Sequence, residues 1–158
     1  MRLPSFATPL MAAAILLSLS TASAARNADR EGAAAVLASY KLALERRDLS
    51  GVDALFARDA VVIESGKVEG TYEAYRDHHL GPELAEFKSF TFENYQAQIR
   101  LEGPIAVATE TYSYRIVTKS DEVVDRLGVA SSVLKWNGQA WQIVSMHSSS
   151  RKPKAPTK

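Results

Sequence analysis

The hydrophobic period of this chain changes once, near Lys88, from helical spacing to alternation, and it does not change back. A chain that reads helix first and strand afterwards does not interleave its elements as a parallel α/β sheet does. It lays its helices over one side of an antiparallel sheet, an α+β arrangement. Before the switch, Ala33, Val36, Leu37, Tyr40 and Leu44 recur on one face between Asp29, a plausible N-cap, and Arg47. Asp48-Leu49-Ser50-Gly51 breaks this helix, and Val52, Leu55 and Phe56 give a second, short one. Ala60-Val61-Val62-Ile63 reads as a buried strand closed by Ser65-Gly66. Thr71 can cap a third helix through Tyr72, Tyr75 and His79, which Gly81-Pro82 must end because proline disfavours helical backbone in the residue before it. Pro82 can itself start a further turn through Glu83, Leu84 and Phe87.

After the switch, Phe90, Phe92, Asn94 and Gln96 alternate against Thr91, Glu93, Tyr95, Ala97 and Ile99, and Gly103-Pro104 turns the chain. Two long strands follow, from Ile105 to about Lys119 and from Val123 to about Trp136. Asn137-Gly138, the strongest short hairpin signal in the chain, leads into a last strand from Trp141 to about Ser148. No internal repeat is visible, and 158 residues fit one domain with an ordinary core.

The ends read differently from the body. Arg2 precedes the apolar run Leu10 to Leu17, and Ala22-Ser23-Ala24 presents small side chains to a signal peptidase. The run is too short for the roughly 20 residues that span a bilayer. Residues 1–24 are therefore expected to be a cleaved signal peptide, residues 25–150 the domain and residues 151–158 a disordered basic tail, in a periplasmic or secreted protein. Nothing later is apolar enough to cross a membrane. Arg151, Lys152, Lys154 and Lys158 are four of the 19 basic residues, and without them acidic side chains outnumber basic ones, so the domain itself is acidic, which argues against a nucleic-acid surface. The absence of cysteine removes thiol catalysis, cysteine metal sites and redox roles.

Val36 to Glu64, with Ser39-Tyr40, Arg47-Asp48-Leu49-Ser50-Gly51, Ala54-Leu55-Phe56-Ala57 and Asp59-Ala60 as fixed points, resembles the opening of the nuclear transport factor 2-like superfamily that contains ketosteroid isomerase. Lys135-Trp136-Asn137-Gly138, then Trp141-Gln142-Ile143-Val144 and His147-Ser148, is similar to the final hairpin of its polyketide-cyclase-like branch. The resemblance implies a cone-shaped half-barrel, with N-terminal helices packed on the concave face of a curved antiparallel sheet around a mostly apolar pocket. It does not imply one reaction. Carried over residue by residue, Tyr40 matches the tyrosine that hydrogen-bonds a substrate carbonyl and Glu64 the carboxylate that moves a proton. Ser132 stands where the isomerase has a second oxyanion donor, a protonated aspartic acid, and a serine hydroxyl donates less strongly.

The residues themselves leave alternatives. Tyr40 on a buried helix face reads as a core tyrosine as well as a donor. Glu64 ends an apolar strand, where a carboxylate must be paired, protonated or wet, or else simply exposed beside Ser65-Gly66. Tyr112 and Tyr114 share a face with Ile116, and Trp136 shares one with Ser132 and Leu134, so these aromatics form the pocket wall if those faces are concave. With Phe56, His79 and His147 they make up the expected ligand-binding set. Which face of the last strand points inward stays open. His78 and His79 point about 100° apart on a helix, and no metal-binding motif is present, so neither a metal nor a cofactor is expected. The expected function is binding of a small apolar or carbonyl-bearing molecule, with proton-transfer chemistry of the isomerase or lyase type at Glu64. The alternative is a non-catalytic adaptor that dimerises through the outer sheet face, with Tyr95, Ile99, Val107, Val117, Val129 and Val133 as candidates.

Overall fold

The computed structural model describes residues 12–154, with side chains from Asn27 onward. The expected leader, residues 1–24, lies outside the fully described residues, as do residues 155–158 of the expected tail. Helix α1 (Ala12–Arg46) starts well before Asp29, which therefore sits inside a helix and not at its cap. The alanine-rich segment ahead of it favours helix and offers no stop.

A 3₁₀ turn (Val52–Leu55) leads into strand β1 (Phe56–Glu64), so Phe56 opens a strand where a helical residue was expected. Strand β2 (Lys67–Thr71) folds back on β1 through the left-handed Ser65-Gly66 turn; no apolar run in the sequence announced it. Helix α2 (Tyr72–Tyr75) is capped as expected, the Thr71 hydroxyl accepting from the Ala74 N–H at 3.2 Å.

Gly81-Pro82 does not end the helix. The chain passes from α2 through a π turn (Arg76–Leu80) into α3 (Gly81–Ala85), and Gly81 keeps helical backbone angles of φ −63° and ψ −50°. The Gly81 N–H reaches back to the Arg76 carbonyl, the wider hydrogen bond of a π turn. The widening makes room for the proline ring in the turn that follows. A Cβ on residue 81 would lie 2.7 Å from the Arg76 oxygen, so only glycine fits here.

Strands β3 (Phe87–Glu102), β4 (Ile105–Thr118), β5 (Val123–Trp136) and β6 (Trp141–Arg151) form the antiparallel meander. The sheet order is β2-β1-β6-β5-β4-β3, and β1 lies parallel to β6, a departure from the all-antiparallel expectation. The long excursion through the helices and the meander returns the chain to the side of β1 in the same direction, as a parallel neighbour requires. The result is a mixed α+β fold with a curved, unclosed sheet that α1 covers. Asn137 shapes the last hairpin by accepting from the Gln139 and Ala140 N–H groups, each at 2.9 Å, with Gly138 at φ 99°.

Two bulges change which residues face inward. Asn94 adopts φ 53°, and the β3–β4 register slips between Glu93 and Gln96. One extra residue reverses the alternation, so Tyr95 and Ile99 join Phe90 and Phe92 on the inner face and leave the outer face where they were expected. A second slip opposite Val133 and Leu134 leaves Val144 unpaired on β6. Trp141 and Ile143 before it and Met146 after it are all buried, whereas His147 is exposed. The core packs Leu37 of α1 against Val62, Leu134 and Ile143, with Phe56 stacked on Tyr72 at 4.0 Å and Tyr40 edge-on to Phe56 at 5.3 Å.

Candidate functional site

Helix α1 does not fill the concavity of the sheet toward the C-terminal end of β6. There a cavity of about 120 Å³ remains, walled by Tyr40 and Lys41 of α1, Glu64 at the end of β1, and Tyr75 and Glu83 from the helical segment. The sheet contributes Phe90, Phe92, Glu110, Tyr112, Tyr114 and Met146, and Ser148 to Ser150 lie at its rim. That volume is below the roughly 300 Å³ of a drug-sized cleft and close to the about 150 Å³ that encloses one benzene ring.

Tyr40 and Glu64 share this wall, from elements that chain order alone would not bring together. Tyr40 is only 8% exposed. Burial first, then the neighbouring Tyr72, Glu64, Tyr112 and Glu110, hold its phenol well above the ordinary tyrosine range, so it is a neutral hydrogen-bonding group at any physiological pH. The Tyr75 hydroxyl donates to Glu64 Oε2 at 2.7 Å. His79, brought round by the π turn, places Nε2 3.6 Å from Glu64 Oε2 and 3.4 Å from Glu83 Oε1, with Nδ1 3.6 Å from Glu69 Oε1. Burial, and then Glu64 and Glu69, push the Glu83 carboxyl up, while His79 pulls it down. His79 is thus at the carboxylate cluster, not in the cavity wall itself.

Ser132 is fully buried and does not reach the cavity. Its hydroxyl donates to Glu110 Oε1 at 2.9 Å, and the Tyr95 hydroxyl donates to Glu110 Oε2 at 2.7 Å. Glu110 therefore stands in the wall where sequence reasoning had placed Ser132. Alternation could have found it: Glu110 shares the inner parity of Ala106, Ala108, Tyr112 and Ile116, a single acid on an otherwise apolar or aromatic face. The Tyr112 ring packs against Gly128, where an added Cβ would be 2.1 Å from its Cε2. Tyr114 donates to Ser150 Oγ at 3.0 Å.

The other expected ligand-binding residues stand elsewhere. Phe56 is in the core stack on Tyr72. Trp136 is 40% exposed beside Trp141 on a separate shallow surface with Lys135 and Asn137. His147 is outside the cavity because the Val144 bulge reverses the strand before it. Lys41, Tyr75 and Glu110 were not singled out as site residues in the sequence, and each owes its place to packing between elements. Among the described residues, no group of three or more His, Asp or Glu side chains is arranged to hold a metal, and no helix is long and apolar enough to cross a membrane.

Solved structures of the same fold accompany this geometry. A candidate dehydratase of the NTF2-like family from Streptomyces avermitilis matches with a TM-score of 0.69 at 18% identity, over 80% of this chain and 99% of its own. A candidate ketosteroid isomerase from Shewanella frigidimarina matches with a TM-score of 0.65 at 25% identity, over 74% of this chain and 94% of its own. A candidate scytalone dehydratase from Novosphingobium aromaticivorans matches with a TM-score of 0.72 at 13% identity, over 86% of this chain and 93% of its own. No curated protein matches the sequence. The family model of the SnoaL-like domain matches residues 33–153, nearly the whole folded body, and the chain belongs to that family.

Proposed function

We propose that this protein binds a small, largely apolar molecule in the cavity and moves a proton on it, with Glu64 as the base and Tyr40 as the hydrogen-bond donor to a carbonyl oxygen. The carrying observation is that Glu64, with its side chain 31% exposed, shares one small cavity with the buried phenol of Tyr40. The Tyr75 hydroxyl fixes one carboxylate oxygen and leaves the other for a substrate proton. The similar structures named as a candidate isomerase and candidate dehydratases point to chemistry of this class, which supports the reading by analogy.

The test is deuterium exchange from D₂O into the α position of a ring-sized ketone such as cyclohexanone, followed by NMR. Acceleration that disappears in Glu64→Gln, with ketone binding retained, supports the base assignment. Binding without acceleration in the parent protein removes the enzymatic part and leaves a binding protein.

We also propose export with cleavage after Ala24, for which the Ala22-Ser23-Ala24 triplet speaks; the intact mass of protein exported by a bacterial host decides it. A dimeric state is favoured by the outer sheet face, where Val61 and Val129 are 41% and 48% exposed. Sedimentation as a monomer at tens of micromolar, about where micromolar interfaces saturate, counts against it.

A further inference from the structure

We propose that the ligand of this cavity is an organic cation: an apolar body of about one ring that carries a protonated amine. The inference rests on the cavity being a ligand site, and not on Glu64 acting as a base. The wall holds Glu64, Glu83 and Glu110. Its lysine, Lys41, is already paired, with Nζ 2.6 Å from Glu45 Oε2, and Lys67 of β2 is paired with Glu69 at 2.8 Å. Even with a proton on His79, carboxylates outnumber cations around the space. An anionic ligand meets repulsion there, and a neutral one leaves the imbalance standing.

Acidic side chains alone would show only that the wall is acidic. The second observation is Tyr40, more than nine-tenths buried, whose hydroxyl lines the same space and hydrogen-bonds to none of the described residues. A neutral phenol oxygen can accept an N–H as well as donate its own proton, so it can orient an ammonium whose charge the carboxylates balance. The chain also uses this chemistry on itself. Lys41 Nζ lies 5.6 Å from the Phe92 ring centre and 5.8 Å from that of Tyr95 while it pairs with Glu45. A ligand amine finds the same combination at Tyr75 and Tyr112, beside Glu64 and Glu110. The volume of about 120 Å³ leaves room for one ring behind it.

The experiment titrates the full chain with three probes of one shape, benzylamine, benzyl alcohol and benzoate, at neutral pH, with chemical-shift changes as the readout. The expected order is benzylammonium tightest, by about tenfold over the alcohol, the scale of one charge-assisted hydrogen bond, with benzoate weakest. Glu64→Gln and Glu110→Gln should each narrow the gap between amine and alcohol. If Glu110→Gln fails to fold, Glu64→Gln alone decides. Alcohol binding as tight as the amine overturns the proposal and leaves the ligand site standing. Failure of all three probes to bind overturns both. An amine preference that survives unchanged in every folded variant overturns the assignment to these carboxylates.

Discussion

Glu64 and Glu110 line one cavity and are the same residue type, yet the fold treats them oppositely. Glu110 comes from the middle of β4, is 7% exposed, and has each oxygen held by a neutral donor, Ser132 on one side and Tyr95 on the other. Glu64 comes from the end of β1, keeps about a third of its side chain exposed, and has one such donor, Tyr75, with His79 nearby. A fully bonded carboxylate at the centre of a sheet is part of the packing: its removal strands the buried Ser132 hydroxyl and the half-buried Tyr95 hydroxyl. A carboxylate with a free oxygen at a strand end can change partners without disturbing its neighbours. Glu110 thus sets the shape and charge of the wall, whereas Glu64 is the group free to act.

The largest test of this contrast is stability. Glu110→Ala should cost about 3 kcal/mol, because it leaves the Tyr95 and Ser132 hydroxyls unpaired and opens a void, whereas Glu64→Gln should stay within about 1 kcal/mol of the parent. Urea unfolding of both variants checks it, and equal losses would erase the distinction between the two carboxylates. Next comes the wall itself. Gly128→Ala puts a Cβ into the Tyr112 ring, which must move; the expected loss is about 1–3 kcal/mol, together with weaker binding of any ring-sized probe.

The third test uses pH. Burial and the neighbouring Glu64 and Glu69 raise the Glu83 carboxyl above its ordinary value. A carboxyl raised on folding favours the folded state while it is protonated in both states, and that contribution is lost as pH rises through the folded value. Stability should therefore fall slightly as pH rises above the ordinary glutamate value of about 4.3. Glu83→Gln should flatten that slope, and Glu64→Gln should reduce it by removing one of the neighbouring charges. Denaturation midpoints across the range supply the measurement, and an unchanged slope in Glu83→Gln would separate Glu83 from the cluster. The smallest effect concerns Tyr72, whose buried hydroxyl finds no partner among the described residues. Tyr72→Phe should be neutral or stabilising by up to about 1 kcal/mol, in contrast with the satisfied hydroxyls around Glu110. A clear loss in thermal unfolding would show that this hydroxyl has a partner after all.

How much of this was legible beforehand depends on the residue. Thr71 as a cap follows from local chemistry, and the structure has it. Tyr40 and Glu64 were paired by resemblance to a known family, and they do share a cavity. Glu110 was overlooked even though its inner parity was readable, since a lone acid in a strand gives no sign of the two donors that make its burial tolerable. Tyr95 was placed on the wrong face, and His147 on a face that could not be chosen, for one reason: alternation is reliable only until a bulge. Gly81-Pro82 misled because a helix stop was inferred from proline alone, and the π turn that admits it depends on glycine at the preceding position.

The order of helix and strand, the inward side of α1, the positions of most turns, and the family can all be read along the chain. These follow from periodicities and caps that act over a few residues, where the side chain's own chemistry decides. That β1 lies parallel to β6, that two single-residue slips turn Tyr95 inward and His147 outward, and that Glu110, not Ser132, faces the cavity all emerge from the folded arrangement. Each of these depends on which strand becomes a neighbour and in what register. Register is a property of the pair, set when two stretches far apart in the chain bury their apolar faces together, and neither stretch carries it alone.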